Sequence, residues 1–417
     1  MAAVAAILEN HPGEENPSLS SRATPHILTS RCGFPSLPTG MKTSAGRVGF
    51  VLLLAWSGVA EGDSPPSIDW HFEFSGGGSG KLVWQSESDR SYHLTYSAEL
   101  VCWSPVAGFP KLGSGGPMEH SFTAGTRGFF KITSDTAVPA GFVIVPAGSF
   151  LMGDSFDEWE DDEIPVHSVD VSGFYMGEDE VTKTLWTNVR TWGATNGYTD
   201  LPEGEGDVRG YPVHSVDWFD AVKWCNARSE MEGLDPCYAV SGWVYRTGSG
   251  PTPPCDWNAN GYRLPTEAEW EKAARGGLIG NRFPWGDTIN HSHANYVANG
   301  SMHDYDTSGE MFDTHHPTWD GGGVPHTSVV GSFAPNGYGL YDMAGNLFEW
   351  CWDWWLLDYY SSSPGVDPRG PDTGSSRIIR GGSWDHRALG SRCAQRGANA
   401  PGGSSNTVGF RVVRSRP

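Results

Sequence analysis

Asp342, Asn346 and Glu349 bring three hard oxygen donors into one stretch, Asn336–Trp355 (NGYGLYDMAGNLFEWCWDWW). Hard oxygen donors gathered in one tight turn can hold a metal ion. Trp and Phe crowd the same stretch, and neither a helical stripe nor strand alternation describes it. Its glycines permit left-handed backbone and close approach of neighbouring chain. The residues read as a polar, metal-tied turn inside an aromatic core. The alternative is a turn whose Asp, Asn and Glu only cap backbone groups.

Other groups could do chemistry. His303, His315, His316 and His326 share a region with Asp304, Asp306, Glu310 and Asp313. Imidazole and carboxylate together can hold a transition metal, although a loop this rich in Gly and Asp is more often solvated. Asp157–Glu163 is an acidic run that reads as a solvated face. Asp385 and His386 follow Arg380–Trp384 (RGGSW) and could support acid–base chemistry once partners are found. Gly76–Lys81 (GGGSGK) is not a phosphate loop, because Ser75 and Leu82 stand where a Gly and a Ser or Thr are required. It reads as a hairpin turn.

The elements that must position these groups are sparse. Among 417 residues, Gly 55, Pro 29 and Trp 19 indicate a loop-rich chain held by aromatic packing. A formal charge of -21 argues against nucleic acid and anionic membranes as partners. Trp218, Ala221, Val222 and Cys225 fall on one helical face behind Asp217 as N-cap. A second helix opens with the capping box Thr266/Glu269 and stops at Gly276-Gly277. Leu82–Gln85, Tyr92–Tyr96, Leu100–Trp103 and Phe129–Ile132 are short apolar runs between turn residues. They predict a small all-β, sandwich-like domain over 63–135, with a linker at 136–141.

Lys42 and Arg47, the apolar run Val48–Trp56 and the small residues Gly58–Ala60 read as a secretory signal peptide over 41–60, too short to span a membrane. On that reading Met41 is the true start and residues 1–40 are an upstream extension. The protein is then secreted, periplasmic or at the cell surface, with no transmembrane segment after leader removal. Export permits disulfides. Cutting after residue 60 discards Cys32 and leaves Cys102, Cys225, Cys237, Cys255, Cys351 and Cys393, for which Cys237–Cys255 and Cys351–Cys393 are candidate pairs. Spacing cannot decide connectivity.

Eight motifs carry a resemblance. They are Val145–Gly153 (VPAGSFLMG), Pro165–Trp186, Tyr211–Cys225, Gly261–Gly277 (GYRLPTEAEWEKAARGG), Phe283–Gly286, Asn336–Trp355, Arg380–Trp384 and Gly409–Val413. In this order they resemble the formylglycine-generating enzyme, or sulfatase-modifying factor, family over about residues 140–417, so the final domain is taken as 142–417. The resemblance implies an α+β chain with the formylglycine-generating-enzyme-like (C-type-lectin-like) fold, little regular structure and bound calcium. It assigns one calcium site to Asp342, Glu349 and the carbonyls of Gly345 and Leu347. A second uses Asn295, the Tyr296 carbonyl, Asp320 and the Gly322 carbonyl. It also implies oxidation of a sulfatase cysteine to formylglycine, with oxygen and copper(I) held by two thiolates in a Cys-x4-Cys arrangement past the RGGS motif.

There the sequence departs from the family. No cysteine lies between Trp384 and Arg392, the interval is shortened, and Cys393 matches a structural position. Copper(I) is soft and needs thiolate ligands, so copper chemistry is not expected. Phe348 also replaces the family's Trp, while Ser383 and Arg396 remain. Two readings follow: a calcium-stabilised module binding a protein or peptide, or an oxidative protein-modifying enzyme, formylglycine-generating or otherwise, with a different centre.

Overall fold

A computed structural model describes residues 138–416, apart from 159–160 and 322–325, together with the strand segments of residues 1–137. The chain divides into two units at Val138/Pro139. In the first, Trp70–Ser75, Ser79–Gln85 and Pro117–Phe122 form one antiparallel sheet. Arg90–Ser97 and Gly128–Thr136 anchor another, to which Val51–Ala55 and Val4–Ala6 add. The GGGSGK stretch joins the two strands of a hairpin, with residues 76–78 themselves outside the described residues. The expected strand Leu100–Trp103, Cys102 and most of residues 1–60 also lie outside them.

The second unit is mixed α+β: three helices set among several small sheets. Its strands are β1 Phe142–Val145, β2 Gly148–Met152, β3 His167–Val171, β4 Phe174–Gly177, β5 Ala239–Val240, β6 Trp243–Val244, β7 Tyr262–Arg263, β8 Phe348–Trp354, β9 Arg377–Arg380, β10 Gly397–Asn399, β11 Val408–Gly409 and β12 Val413–Ser415. One sheet runs β1-β4-β12-β7; another runs β10-β9-β8-β11, with β8 and β11 parallel. Hairpins β2-β3 and β5-β6 stand apart.

Helix α2, Trp218–Met231, begins at Asp217 with a reciprocal capping box to Asp220, and α3, Glu267–Arg275, begins at Thr266 with one to Glu269. Gly276 ends α3 in the left-handed region (φ 55°), where a residue without Cβ is unstrained. A third helix, α1 Lys183–Ala194, capped by Thr182, was not expected. Its threonines carry little helix preference. Burial of Trp186 and Val189 beside α2, with Trp186 stacked on Trp224 at 6.0 Å, secures it instead.

Buried ion pairs lock the long loops. Glu267 pairs with Arg396, and Glu269 with Arg263. Glu271 pairs with both Arg275 and Arg380, so α3 presents a row of carboxylates, each met by a guanidinium. Burial opposes the charge on Glu271, yet these two arginines hold its carboxyl below the usual range. The acidic run is a solvated face only in part: Asp157 and Asp161 are exposed, but its end turns inward. Asp162 and Glu163 are buried, Glu163 in a two-pronged pair with Arg392 at 2.8 Å and Asp162 accepting from the Trp355 indole at 2.7 Å. The arginines come from distant loops, which is how these acids leave solvent without being stranded.

The five described cysteines are free thiols. The Cys351–Cys393 pairing is not formed: the Cys351 thiol is directed at the Glu349 carbonyl, 3.9 Å away. Cys237 and Cys255 are unbridged as well, although their thiols interact with one another.

Candidate functional site

The Asn336–Trp355 stretch is a turn feeding β8. Asp342, Gly345 and Asn346 take positive φ (54°, 77° and 60°). A Cβ on Gly345 would run into the Asn295 carbonyl. Asn346 organises the turn: its side chain donates to Glu180 and accepts from the Ser328 amide. Its carbonyl accepts from Trp384 at 2.8 Å, and the Gly345 amide donates to Gly381 at 2.8 Å. These bonds tie the turn to the Arg380–Trp384 loop.

The two carboxylates assigned to the first calcium site differ in environment. Both Glu349 oxygens are held by the Arg411 guanidinium at 2.7–2.8 Å, and one also accepts from the Trp270 indole at 2.6 Å. Glu349 already has its cation and does not fit a calcium ligand. Asp342 accepts only the Gly331 amide among the described residues, at 2.7 Å. Burial pushes its carboxyl up to about 7, against the pull of that amide and of Arg411. Asp342 therefore fits a cation site, with the carbonyls of Gly345 and Leu347 in the same turn.

At the second site, Asn295 donates to the His326 carbonyl at 3.0 Å and the Tyr296 carbonyl faces the His291 ring at 3.2 Å. Asp320 is partly exposed, and Gly322 lies outside the described residues. Among the described residues, no three His, Cys, Asp or Glu side chains are grouped to hold a metal.

The histidines separate. His316 turns to the His291 carbonyl and packs on Trp319, and His326 packs on Tyr211. His303 and His315 instead line a cleft of about 560 Å³ together with Asp313, Phe348, Asp385 and His386. Arg387, Leu389 and Gln395 complete it on the side of the 383–395 loop. The cleft thus forms where the sequence departs from the family pattern. Val297 builds its base, its amide donating to the His386 carbonyl at 2.9 Å, while Ala298 pairs with Thr314.

The carboxylates and the arginine of the cleft have partners. Arg387 grips Asp313 at 2.6 and 2.9 Å. Asp385 meets the His315 ring at 3.0 Å. The buried Ser383 hydroxyl lies 2.7 Å from His386 Nδ1 and takes the Asp385 amide at 3.3 Å. Ser383 must place its proton somewhere, and Nδ1 is the acceptor in reach. That assignment leaves Nε2 as the proton-bearing nitrogen of His386, available to the cleft. Burial holds His386 below the usual imidazole range, with Asp385 partly offsetting the effect. The Phe348 ring stands edge-on to it at 4.8 Å. Arg396 is not here: it is buried against Glu267, with bonds to the Asp162 and Leu356 carbonyls. Ser383 positions a cleft residue, whereas Arg396 holds the fold.

This frame and these motifs define a class. The profile of the sulfatase-modifying factor enzyme 1-like domain matches residues 130–416, and the chain belongs to that family. It is 36% identical over 294 residues to the formylglycine-generating enzyme of Streptomyces coelicolor, covering 66% of this chain and 88% of that protein. It is 33% identical over 275 residues to the serine/threonine-protein kinase pkn1 of Chlamydia pneumoniae, covering 66% of this chain but 38% of the kinase. Among solved structures, Treponema denticola variable protein 1 shares 29% identity, with 68% of this chain and 98% of that one covered at a TM-score of 0.51.

Proposed function

We propose that this protein is an exported, peptide-binding member of the family, in which the cleft at 383–395 receives an extended segment of another protein. One observation carries the reading. Where the resemblance assigns copper thiolates, the chain has Asp385 and His386, and these are already tied to His315 and Ser383. A carboxylate and an imidazole do not reproduce the soft two-thiolate donor set that copper(I) prefers. They do supply hydrogen-bonding groups to a cleft whose other walls mix polar side chains with the apolar Val297, Met302, Phe348 and Leu389, a make-up that suits a recognition site.

Calcium at Asp342 and the Gly345 and Leu347 carbonyls is part of the proposal, as a brace for the turn that supports the Arg380–Trp384 loop. So is the leader over 41–60, which would deliver the protein to the cell exterior or periplasm. No helix among the described residues is long and apolar enough to cross a membrane.

The test is to incubate the protein with copper(I), oxygen and a labelled peptide containing a Cys-x-Pro-x-Arg segment, following both anisotropy and peptide mass. Binding with unchanged mass is expected. Conversion of the cysteine to the aldehyde would overturn the binding-only reading in favour of an oxidative enzyme.

A further inference from the structure

The insertion between α2 and β7 gathers three cysteines. Cys225 lies on α2 and is fully buried, Cys237 is buried at the start of the hairpin segment, and Cys255 is partly exposed at its end. The backbone brings the last two together. Tyr238 and Cys255 form an antiparallel bridge, and the Asp256 amide donates to the Cys237 carbonyl at 2.7 Å. The two thiols interact across this bridge.

Between them runs the β5-β6 hairpin, with Trp243 79% exposed. Both strands of this hairpin are held at their base: Asn226 of α2 donates to the Tyr238 and Tyr245 carbonyls at 2.7 and 3.1 Å and accepts from the Tyr238 amide at 3.0 Å. On the return strand Glu230 of α2 grips the Arg246 guanidinium at 2.5 and 3.2 Å, and beyond it no bond from α2 reaches residues 247–255 among the described residues.

We propose that Cys237 and Cys255 are a modification site, closed to a disulfide by exchange with a protein or small-molecule disulfide, and that this bond locks the base of the segment that carries the Trp243 hairpin. Cys255, the more exposed residue of the two, is the one an incoming disulfide can reach. Once it has lost its proton, a loss that burial of the thiol opposes, its sulfur attacks and displaces one sulfur as thiolate, giving a mixed disulfide. Cys237 then attacks the Cys255 sulfur and releases the second. The net change is loss of two protons and two electrons from the pair, and the oxidant leaves as a dithiol or two thiols. The resolving role suits Cys237, which is buried beside Cys255 and so reaches the mixed disulfide without meeting the oxidant itself. Cys225 stays out of the exchange: it is fully buried, and burial pushes its thiol well up.

The bond would remove loop-closure entropy from the unfolded chain. The full chain is equilibrated in oxidised and in reduced glutathione buffers, quenched in acid, alkylated after unfolding and mapped by mass spectrometry. In the oxidised sample the Cys237 and Cys255 fragments should be joined and lighter by two hydrogens, with Cys225 alkylated. The oxidised protein should melt roughly 5–10 °C above the reduced one, and Cys255→Ser should erase that difference while matching the reduced protein. Alkylation of both thiols after full oxidation, or a bond from either one to Cys225, would overturn the proposal. This outcome is independent of peptide binding at the cleft.

Discussion

Asp342 and Glu349 sit in one turn, and residue type alone gives them the same role, yet the partner of each decides what it does. Glu349 neutralises Arg411, which also reaches the Gly177, Glu178 and Tyr341 carbonyls. Glu349→Gln strands that guanidinium and should cost about 3–5 kcal/mol in chemical denaturation. Asp342 lacks a cation of its own, so calcium should raise the melting temperature of the native protein and leave Asp342→Asn unmoved. An equal rise in both proteins would remove Asp342 from the site. His386 sets a pH limit. Because its folded pKa lies below the usual 6.5, the unfolded chain takes up the proton first. Its contribution is present above about 6.5 and is lost as pH falls below that. Melting between pH 7.5 and 5 should therefore fall more steeply for the native protein than for His386→Asn, and parallel curves would refute the assignment. The oxygen donors and the missing thiols were legible in the sequence. That Glu349 was already spent was not, because Arg411 is remote in the chain and spacing carries no trace of it.

At the scale of elements, what announced itself in the sequence was whatever is decided locally. The apolar face of α2, its Asp217 N-cap and the Thr266/Glu269 capping box of α3 are contained within one or two turns, so residue spacing reports them. The answering Asp220 side chain at α2 was not expected. Asp217→Ala should accordingly cost about 0.5–2 kcal/mol, read from the denaturation midpoint at constant slope. Asp217→Asn should recover most of it, since an amide oxygen still accepts the Asp220 amide. No loss in the alanine variant would mean that packing of Trp218 and Trp224 alone holds the helix start. Helix α1 left no such trace, because its apolar residues find their partners on α2 and in Phe410. The same reason hid the row of carboxylates on α3. A solvated Glu-rich helix face and one matched by buried arginines have identical spacing, and only the arrival of Arg380 and Arg396 from another loop separates them.

For the whole molecule, the question is how a unit with so little regular structure keeps one conformation. Aromatic clusters account for part of it. The buried Arg–carboxylate pairs add specificity, since a guanidinium fork accepts few orientations. They join α3 to the 380–396 loop, and Arg392 joins that same loop to Glu163 near the start of the unit. Every one of these pairs lies within residues 139–417, as do the cleft, the turn and the thiol pair. A chain of residues 139–417 should therefore fold alone, unfold in one transition and bind cleft peptides with the affinity of the full protein. The family profile starts slightly earlier, inside the strand Gly128–Thr136, so a chain beginning at residue 128 is the matched control. If 139–417 lacks a cooperative melt while 128–417 has one, that strand belongs to the folding unit, and the boundary of autonomy lies before Val138. If both melt alike, the ion-paired frame is sufficient by itself.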